Sequence, residues 1–364
     1  MRASGPAGPA LGCVLMLLVP ACAGGADQRW FVAPHGSDAS SGSLASEPFR
    51  TIQRAMDAAH AGAVIELAPG DYFEDLRTRR AGRPGAPIRL QGRPGTVLRG
   101  AGAARVFEIR HSHWVVADLR IDGLVASAAR PSDYRSKLLY AVGPEDGSGL
   151  TGIRVLRVSF ANAGTECLRL KFRARGNEVA GSRFESCGVW DFRFRRGAKN
   201  GEAIYVGTAP EQMPKGLVFS VDDSNENWIH DNQFDTRGNE CVDIKEGVSG
   251  TLVERNRCTG QRDPNSGGIS CRGNGNVIRD NEVHGNWGVG IRLGGDTPND
   301  GIDNVVTGNR LIGNREGALK IMRGPQRRIC GNEIDLGSAA RALRGPAVQG
   351  LNPAAPCSGK AGHG

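Results

Sequence analysis

The sequence predicts an all-β, single-domain right-handed parallel β-helix. Three observations carry this prediction. An Asn-x-Val/Ile-x-x-Asn pattern recurs as Asn227 to Asn232, Asn276 to Asn281 and Asn304 to Asn309, with looser copies closing on Ser182, Asn256 and Asn332. The closing asparagines at 232, 256, 281, 309 and 332 are 24, 25, 28 and 23 residues apart, the length of one solenoid coil. Gly accounts for 53 of 364 residues and aromatics for only 5%, which suits short strands joined by tight turns. Such a period gives roughly eight to ten coils.

The repeat has a physical reading. Equivalent strands stack in parallel, one coil above the next, and alternate Val, Ile and Leu side chains fill the interior. Asn at the bend tolerates left-handed backbone, and its amide bonds to the Asn of the next coil. These asparagines are therefore scaffold residues. The Leu-x-x-Leu-x-Leu frame of leucine-rich repeats is absent.

Before the coils, Trp30-Phe31-Val32-Ala33 reads as a strand and His35 to Glu47 as a polar loop. Phe49, Ile52, Met56 and Ala59 have the spacing of an amphipathic helix over 48–59, and Val64-Ile65-Glu66-Leu67 reads as a strand. A solenoid end exposes unpaired backbone and apolar stuffing, so this helix is expected to cap it. The expected division is 1–23 export signal, 27–75 strand and capping helix, 76–338 β-helix and 339–364 a loose or disordered tail.

Arg2, the apolar run Leu11 to Val19 and Ala21-Cys22-Ala23 form the pattern of a cleaved export signal. The expected location is secreted or periplasmic, with lipid anchoring at Cys22 as the alternative. No later run is long enough to cross a membrane. Seven of the nine cysteines lie beyond the signal. An oxidising compartment permits disulfides, and an odd number leaves at least one thiol outside them. The net charge of +8 favours an anionic partner. Export argues against nucleic acid, and the chain is expected to act as a monomer.

Registering the coils on their asparagines aligns Val242 to Gly247, Ile269 to Gly273, Ile291 to Gly294 and Leu319 to Met322. Strand alternation then turns Asp243, Lys245, Ser270, Arg272, Arg292 and Lys320 outward, with the four cations expected in one column. Like charges on neighbouring strands repel, so such a column points to an anionic ligand. Upstream, the strand containing Glu202 and Tyr205 is followed by an insertion, Thr208 to Glu226, that carries Asp222 and Asp223. Long loops on a rigid solenoid wall grooves.

The residues 30–75 resemble the N-terminal cap of secreted bacterial β-helix proteins of the pectin-lyase-like superfamily. Gly201-Glu202-Ala203-Ile204-Tyr205-Val206-Gly207, then Glu240 to Lys245, then Arg272-Gly273-Asn274 resemble the chondroitinase B and alginate lyase type of polysaccharide lyase. The sequence departs from that pattern at Asp243 and Glu246, which flank Lys245, and at Gly238. The resemblance implies Lys245 as general base, Arg272 as its acid partner and Ca²⁺ held by Glu and Asn residues. Hard oxygen ligands suit Ca²⁺, which makes Glu240, Asp243, Glu202 and Asn239 the candidate metal set. Arg292, Lys320, Tyr205, Asp222 and Asp223 are the candidate substrate-binding residues. Neighbouring cations Arg272 and Arg292 are expected to lower the Lys245 pKa, and Asp243 to oppose them.

The expected function is β-elimination on an acidic, uronate-containing polysaccharide. A glycoside hydrolase, with Asp222-Asp223 supplying one carboxylate, is the alternative, as are a uronate epimerase and a non-catalytic polysaccharide-binding solenoid.

Overall fold

The computed structural model describes Met1, residues 28–295 and residues 297–357. The rest of the expected export signal, with Cys13 and Cys22, lies outside the described residues. The chain winds into three parallel sheets of eleven, ten and ten strands, with a small two-stranded pair beside them. Each strand pairs with its equivalent one coil on: Trp228–His230 with Leu252–Glu254, and that in turn with Val277–Arg279. Inward side chains stack in the same register. Ile229, Val253, Ile278 and Val306 are fully buried, and Phe160, Phe184 and Phe234 stack with centroids 4.8 Å apart.

The asparagine ladder runs the length of one corner. Nδ2 of Asn232, Asn256, Asn281 and Asn309 donates in turn to Oδ1 of the next, at 2.9–3.0 Å. The opening Asn of the hexad builds a second ladder. Asn177 donates to Asn227 at 3.1 Å, and Asn304 Oδ1 accepts the Asn276 backbone N–H at 2.9 Å. Each buried amide answers a backbone group that a bend would leave orphaned.

The capping helix α1 (Ile52–Ala58) is shorter than the pattern suggests, with Ile52, Ala55 and Met56 buried. Its start is set by local hydrogen bonds. The Asp38 carboxylate accepts the Arg50 and Thr51 N–H groups, and the Thr51 hydroxyl accepts the Arg54 N–H. Phe49 instead bridges to Val32.

The C-terminal segment corrects the expectation of a loose tail. Leu343–Arg344 adds a final strand to Leu319–Ile321, and Ala347, Val348 and Leu351 pack on the core. Cys330–Cys357 pins this segment over the last coil. Cys167–Cys187 and Cys241–Cys258 cross the interior of their coils, and Cys271 is the odd buried thiol.

Candidate active-site groove

The ten-strand sheet that runs from Leu76–Arg77 to Leu343–Arg344 carries the outward charged row. Its register aligns Tyr205, Asp243, Ser270, Arg292 and Lys320. The same row continues backward through Arg169 and Tyr140. Lys245 and Arg272 stand two residues further along their strands, at the next outward position. The expected single column of four cations is therefore two adjacent columns. Asp243 and Ser270 occupy the places beside Arg292, and Gly294 and Met322 occupy those beside Arg272.

Two loops wall this face. The insertion after Val206 lays Met213, Leu217 and Phe219 against Tyr140, Val142 and Phe172. On the opposite side, the segment 188–201 carries helix α2 (Val189–Phe192). Trp190 Nε1 donates to the Pro131 carbonyl at 2.7 Å, and Arg193 to the Tyr134 hydroxyl at 2.6 Å. One wall precedes the Ile204–Val206 strand and the other follows it. The charged row between them crosses successive coils along the solenoid axis.

Glu202, Glu240 and Asp243 converge on the groove floor, with carboxylate oxygens within 4.8 Å of one another. They are 5%, 1% and 0% exposed. Ser266 and Ser270 hydroxyls donate to Glu240 Oε1, the latter at 3.2 Å, and the Gly201 N–H donates to Glu202 Oε2 at 2.9 Å. Glu240 Oε2 and Asn239 Oδ1 are buried without a hydrogen-bond partner. Asn239 Nδ2 is spent on the Lys199 carbonyl, 2.7 Å away. Asp243 Oδ2 pairs with the Lys245 ammonium 2.5 Å away, which leaves Oδ1 as its oxygen without a hydrogen-bond partner. Buried oxygens normally have partners, so these orphans mark a position that a hard cation fits. Burial pushes the Glu202 carboxyl up to about 7, helped by Glu240. Glu240 is likewise raised, by burial and by Asp243.

Lys245 is 4% exposed. Its Nζ sits 4.4 Å over the Tyr205 ring, whose other partner is the Arg169 guanidinium at 4.1 Å. Burial pushes the Lys245 amine down, but Asp243 and then Tyr205 outweigh it, leaving it above the usual lysine range. The expected net lowering is thus reversed, because Asp243 touches the amine while Arg272 acts from farther off. Arg272 Nε is 3.9 Å from Asp243 Oδ1, and its Nη1 3.9 Å from Glu246. Arg292 Nε donates to the Gly294 carbonyl at 3.2 Å and Lys320 Nζ to the Asn265 carbonyl at 3.0 Å. Both side chains are partly buried beside the groove.

Three expected substrate contacts have other work. Asp222 is buried, and its carboxylate accepts from the Phe172 and Arg173 N–H groups and from the Thr208 and Ser224 hydroxyls at 2.6–2.9 Å. Nothing is left for a sugar. Asp223 pairs with Arg173 and Arg175. The two acids clamp the insertion to the coil beneath. Tyr205 is 2% exposed, and its hydroxyl donates to Gln212 of the insertion at 3.2 Å. Its ring packs between Lys245 and Arg169.

The sequence reading missed the coil before Glu202. Glu166 lies three residues before Arg169, as Glu202 lies three before Tyr205 and Glu240 three before Asp243, so the acids form a ladder of their own. Lys137 and Arg169 both pair with Glu166, the latter at 2.9 Å. The signal was present: Leu168-Arg169-Leu170-Lys171 alternates as Val242-Asp243-Ile244-Lys245 does.

Residues 214–341 match the model of the right handed beta helix region, and residues 34–79 that of a protein of unknown function (DUF1565). Among solved structures, an alginate lyase from Paenibacillus sp. str. FPU-7 is similar with a TM-score of 0.60 and 19% identity, over 80% of this chain and 96% of that one. The GH136 lacto-N-biosidase from Eubacterium ramulus gives 0.57 and 11%, over 87% and 67%. Pectate lyase Pel9A gives 0.53 and 15%, over 87% and 82%. These likenesses, with the three parallel sheets, define the fold as a right-handed parallel β-helix of the kind on which alginate and pectate lyases are built. A stretch of 67 residues is 34% identical to the uncharacterized protein YwoF of Bacillus subtilis (strain 168). That stretch is 18% of this chain and 14% of that protein.

Proposed function

We infer that this protein cleaves an acidic, uronate-containing polysaccharide by β-elimination in the axial groove. One observation carries the reading: a buried all-oxygen cluster, Glu202, Glu240 and Asp243, lies against the Lys245 ammonium, with Arg272 alongside. The β-helix likeness to an alginate lyase and a pectate lyase agrees with it.

The proton beside a uronate carboxylate is weakly acidic, and its removal builds charge on that carboxylate. A bound hard divalent cation such as Ca²⁺ supplies positive charge at that point. Glu202, Glu240, Asp243 and the Asn239 amide oxygen would hold it. Lys245 acts as the neutral amine, after giving up its own proton. It takes the proton beside the uronate carboxylate, the electron pair forms the C=C bond as the glycosidic C–O bond breaks, and the departing oxygen leaves as an alcohol with a proton supplied from the Arg272 side. Asp243 serves two partners. The more it engages a cation, the less it holds the Lys245 proton, while Arg272 acts against the ammonium. Arg292 and Lys320 would bind carboxylates of the polymer further along.

The residues 1–23 and the three disulfides support export into an oxidising compartment. Among the described residues no helix is long and apolar enough to cross a membrane.

The test is incubation with polygalacturonate, alginate and glycosaminoglycans, following ultraviolet absorbance of the unsaturated product with and without chelator. Lys245→Ala and Arg272→Ala should each lose about a hundredfold or more in kcat/KM. New reducing ends without absorbance would show hydrolysis and overturn the reading. So would folded Lys245→Ala with full activity.

A further inference from the structure

The charged face continues a coil earlier than Tyr205, to Lys171, which has no counter-ion among the described residues. Lys171 ends the strand Leu168–Lys171 and pairs with Val142 in the coil before. In the next coil its position falls to Gly207, and in the one after to Lys245. Gly207 has φ of +84° and contributes no side chain of its own there, where the Val248 side chain packs close. The Lys171 ammonium is partly buried, 4.2 Å over the Phe172 ring. Phe172 in turn meets Phe219 of the insertion edge-on at 5.6 Å.

Four other lysines near this face each have a polar partner, and Lys215 of the insertion is exposed to solvent. Lys137 has Glu166, Lys199 has Asp263, Lys245 has Asp243, and Lys320 has the Asn265 carbonyl. Among the described residues no carboxylate lies within ion-pair distance of Lys171. Asp222 exerts an attraction, but its oxygens are committed to the insertion clamp. Taking an ammonium partly out of water without an anion beside it is costly, and the Phe172 ring and the attraction of Asp222 offset that only in part, since desolvation still holds the amine down. A ligand anion would offset the rest.

Resting on the reading of this groove as a polyuronate site, we propose that Lys171 is the ammonium of a second carboxylate subsite. It lies two coils before Lys245, so the sugar bound there also carries a negative charge. Two strand spacings are about 10 Å, a span on the scale of a disaccharide unit. The phenylalanine and methionine side chains of the insertion wall would flank the sugar ring. The preferred substrate is then a polymer acidic on both sides of the cleaved bond, as opposed to one with an isolated uronate. Burial holds the Lys171 amine down at about 8, with Arg169, Arg105 and Lys137 adding to the effect and Asp222 opposing it. Binding at this subsite should therefore weaken above that pH.

The full chain is compared with Lys171→Met and Lys171→Arg. The measurements are affinity electrophoresis in gels containing polygalacturonate or alginate, with a neutral glucan as control, and elimination kinetics on whichever polymer is cleaved. Lys171→Met should raise KM about tenfold and lose retardation, with kcat within twofold. Lys171→Arg should restore both and remove the weakening above pH 8. The Met variant should melt no lower than the parent, because an unpaired charge has been removed. Parent-like KM and retardation in Lys171→Met would sink the subsite while leaving the groove's function intact. A large fall in melting temperature, unrescued by Arg, would mark a structural lysine and also overturn it. If the unmutated protein is retarded by neither polymer, the functional reading fails first, and the parent lane alone shows that.

Discussion

Two rows of buried polar residues run along this solenoid, and they are finished differently. In the asparagine row every amide is used: Asn256 accepts from Asn232, donates to Asn281 and also donates to the Ile229 carbonyl at 2.9 Å. In the acid row, Glu240 and Asp243 keep oxygens without an aligned donor, and Asn239 does the same. A satisfied polar row is architecture, because its groups are worth more to the fold than to any ligand. An unsatisfied one is held by the fold at a cost, and that cost points to something that binds.

The sharpest way to break this comparison is to mutate one member of each row. Glu240→Gln should reduce elimination activity about a hundredfold while leaving stability equal or raised, since it removes a charge that burial and Asp243 both oppose. Asn256→Ala should do the reverse. It orphans the Asn232 N–H, the Asn232 amide and the Ile229 carbonyl, a loss of about 3 kcal/mol, with activity per folded molecule unchanged. Urea denaturation and initial rates on the same preparations check both. If Glu240→Gln destabilises as much as Asn256→Ala, the acid row is scaffold too.

The acid row also differs within itself. Glu166 and Glu202 are neighbours in the ladder, yet their carboxyls shift in opposite directions. Burial pushes both up. For Glu166, Lys137 and Arg169 outweigh it and hold the group well below the usual carboxylate range. For Glu202, the nearby Glu240 adds to burial, and the group stands at about 7. Linkage gives opposite signs. Glu166 stabilises the fold above the ordinary carboxylate pKa, and that contribution drains away as the solution is acidified through its folded value. Glu202 costs nothing below the ordinary value, and stability falls as pH rises from there through about 7. Melting curves between pH 4 and 8 should show this decline, Glu202→Gln should flatten it, and millimolar Ca²⁺ should reduce it. A decline unchanged in Glu202→Gln would remove Glu202 from the account.

How much of this could be read from the chain depends on where the ruler reached. From Asn232 onward the asparagines set the register, and the candidates named there, Lys245, Arg272, Glu240 and Asp243, come together in the structure. Side-chain alternation gave their outward direction but not the two-residue offset that splits the cations into two columns. Between Phe160 and Lys171 the coil has no asparagine at the ladder corner, so Glu166, Arg169 and Lys171 had no frame. The depth of the cluster was also out of reach. Asp243 and Lys245 point outward from the sheet and are nevertheless buried. Val221 of the insertion reaches over Gly247, a contact that strand patterning cannot contain.

The smallest expected effect tests the sequence reading most directly. Asp222 and Asp223 form an adjacent acid pair in a long loop, which in sequence suggests one half of a hydrolase. The structure separates their duties. Asp222 is sunk into the clamp, whereas Asp223 is partly exposed and bridges Arg173 and Arg175 at the rim. Exposed ion pairs contribute little, since water screens them and two long side chains lose freedom in making them. Asp223→Ala should therefore cost at most about 1 kcal/mol, with most of the loss recovered at high salt, and leave kcat/KM within about twofold. A hydrolytic carboxylate removed the same way would abolish turnover. The size of this one change, read by melting temperature and rate together, decides whether the insertion carries chemistry or only shapes the groove in which Lys245 and Arg272 act.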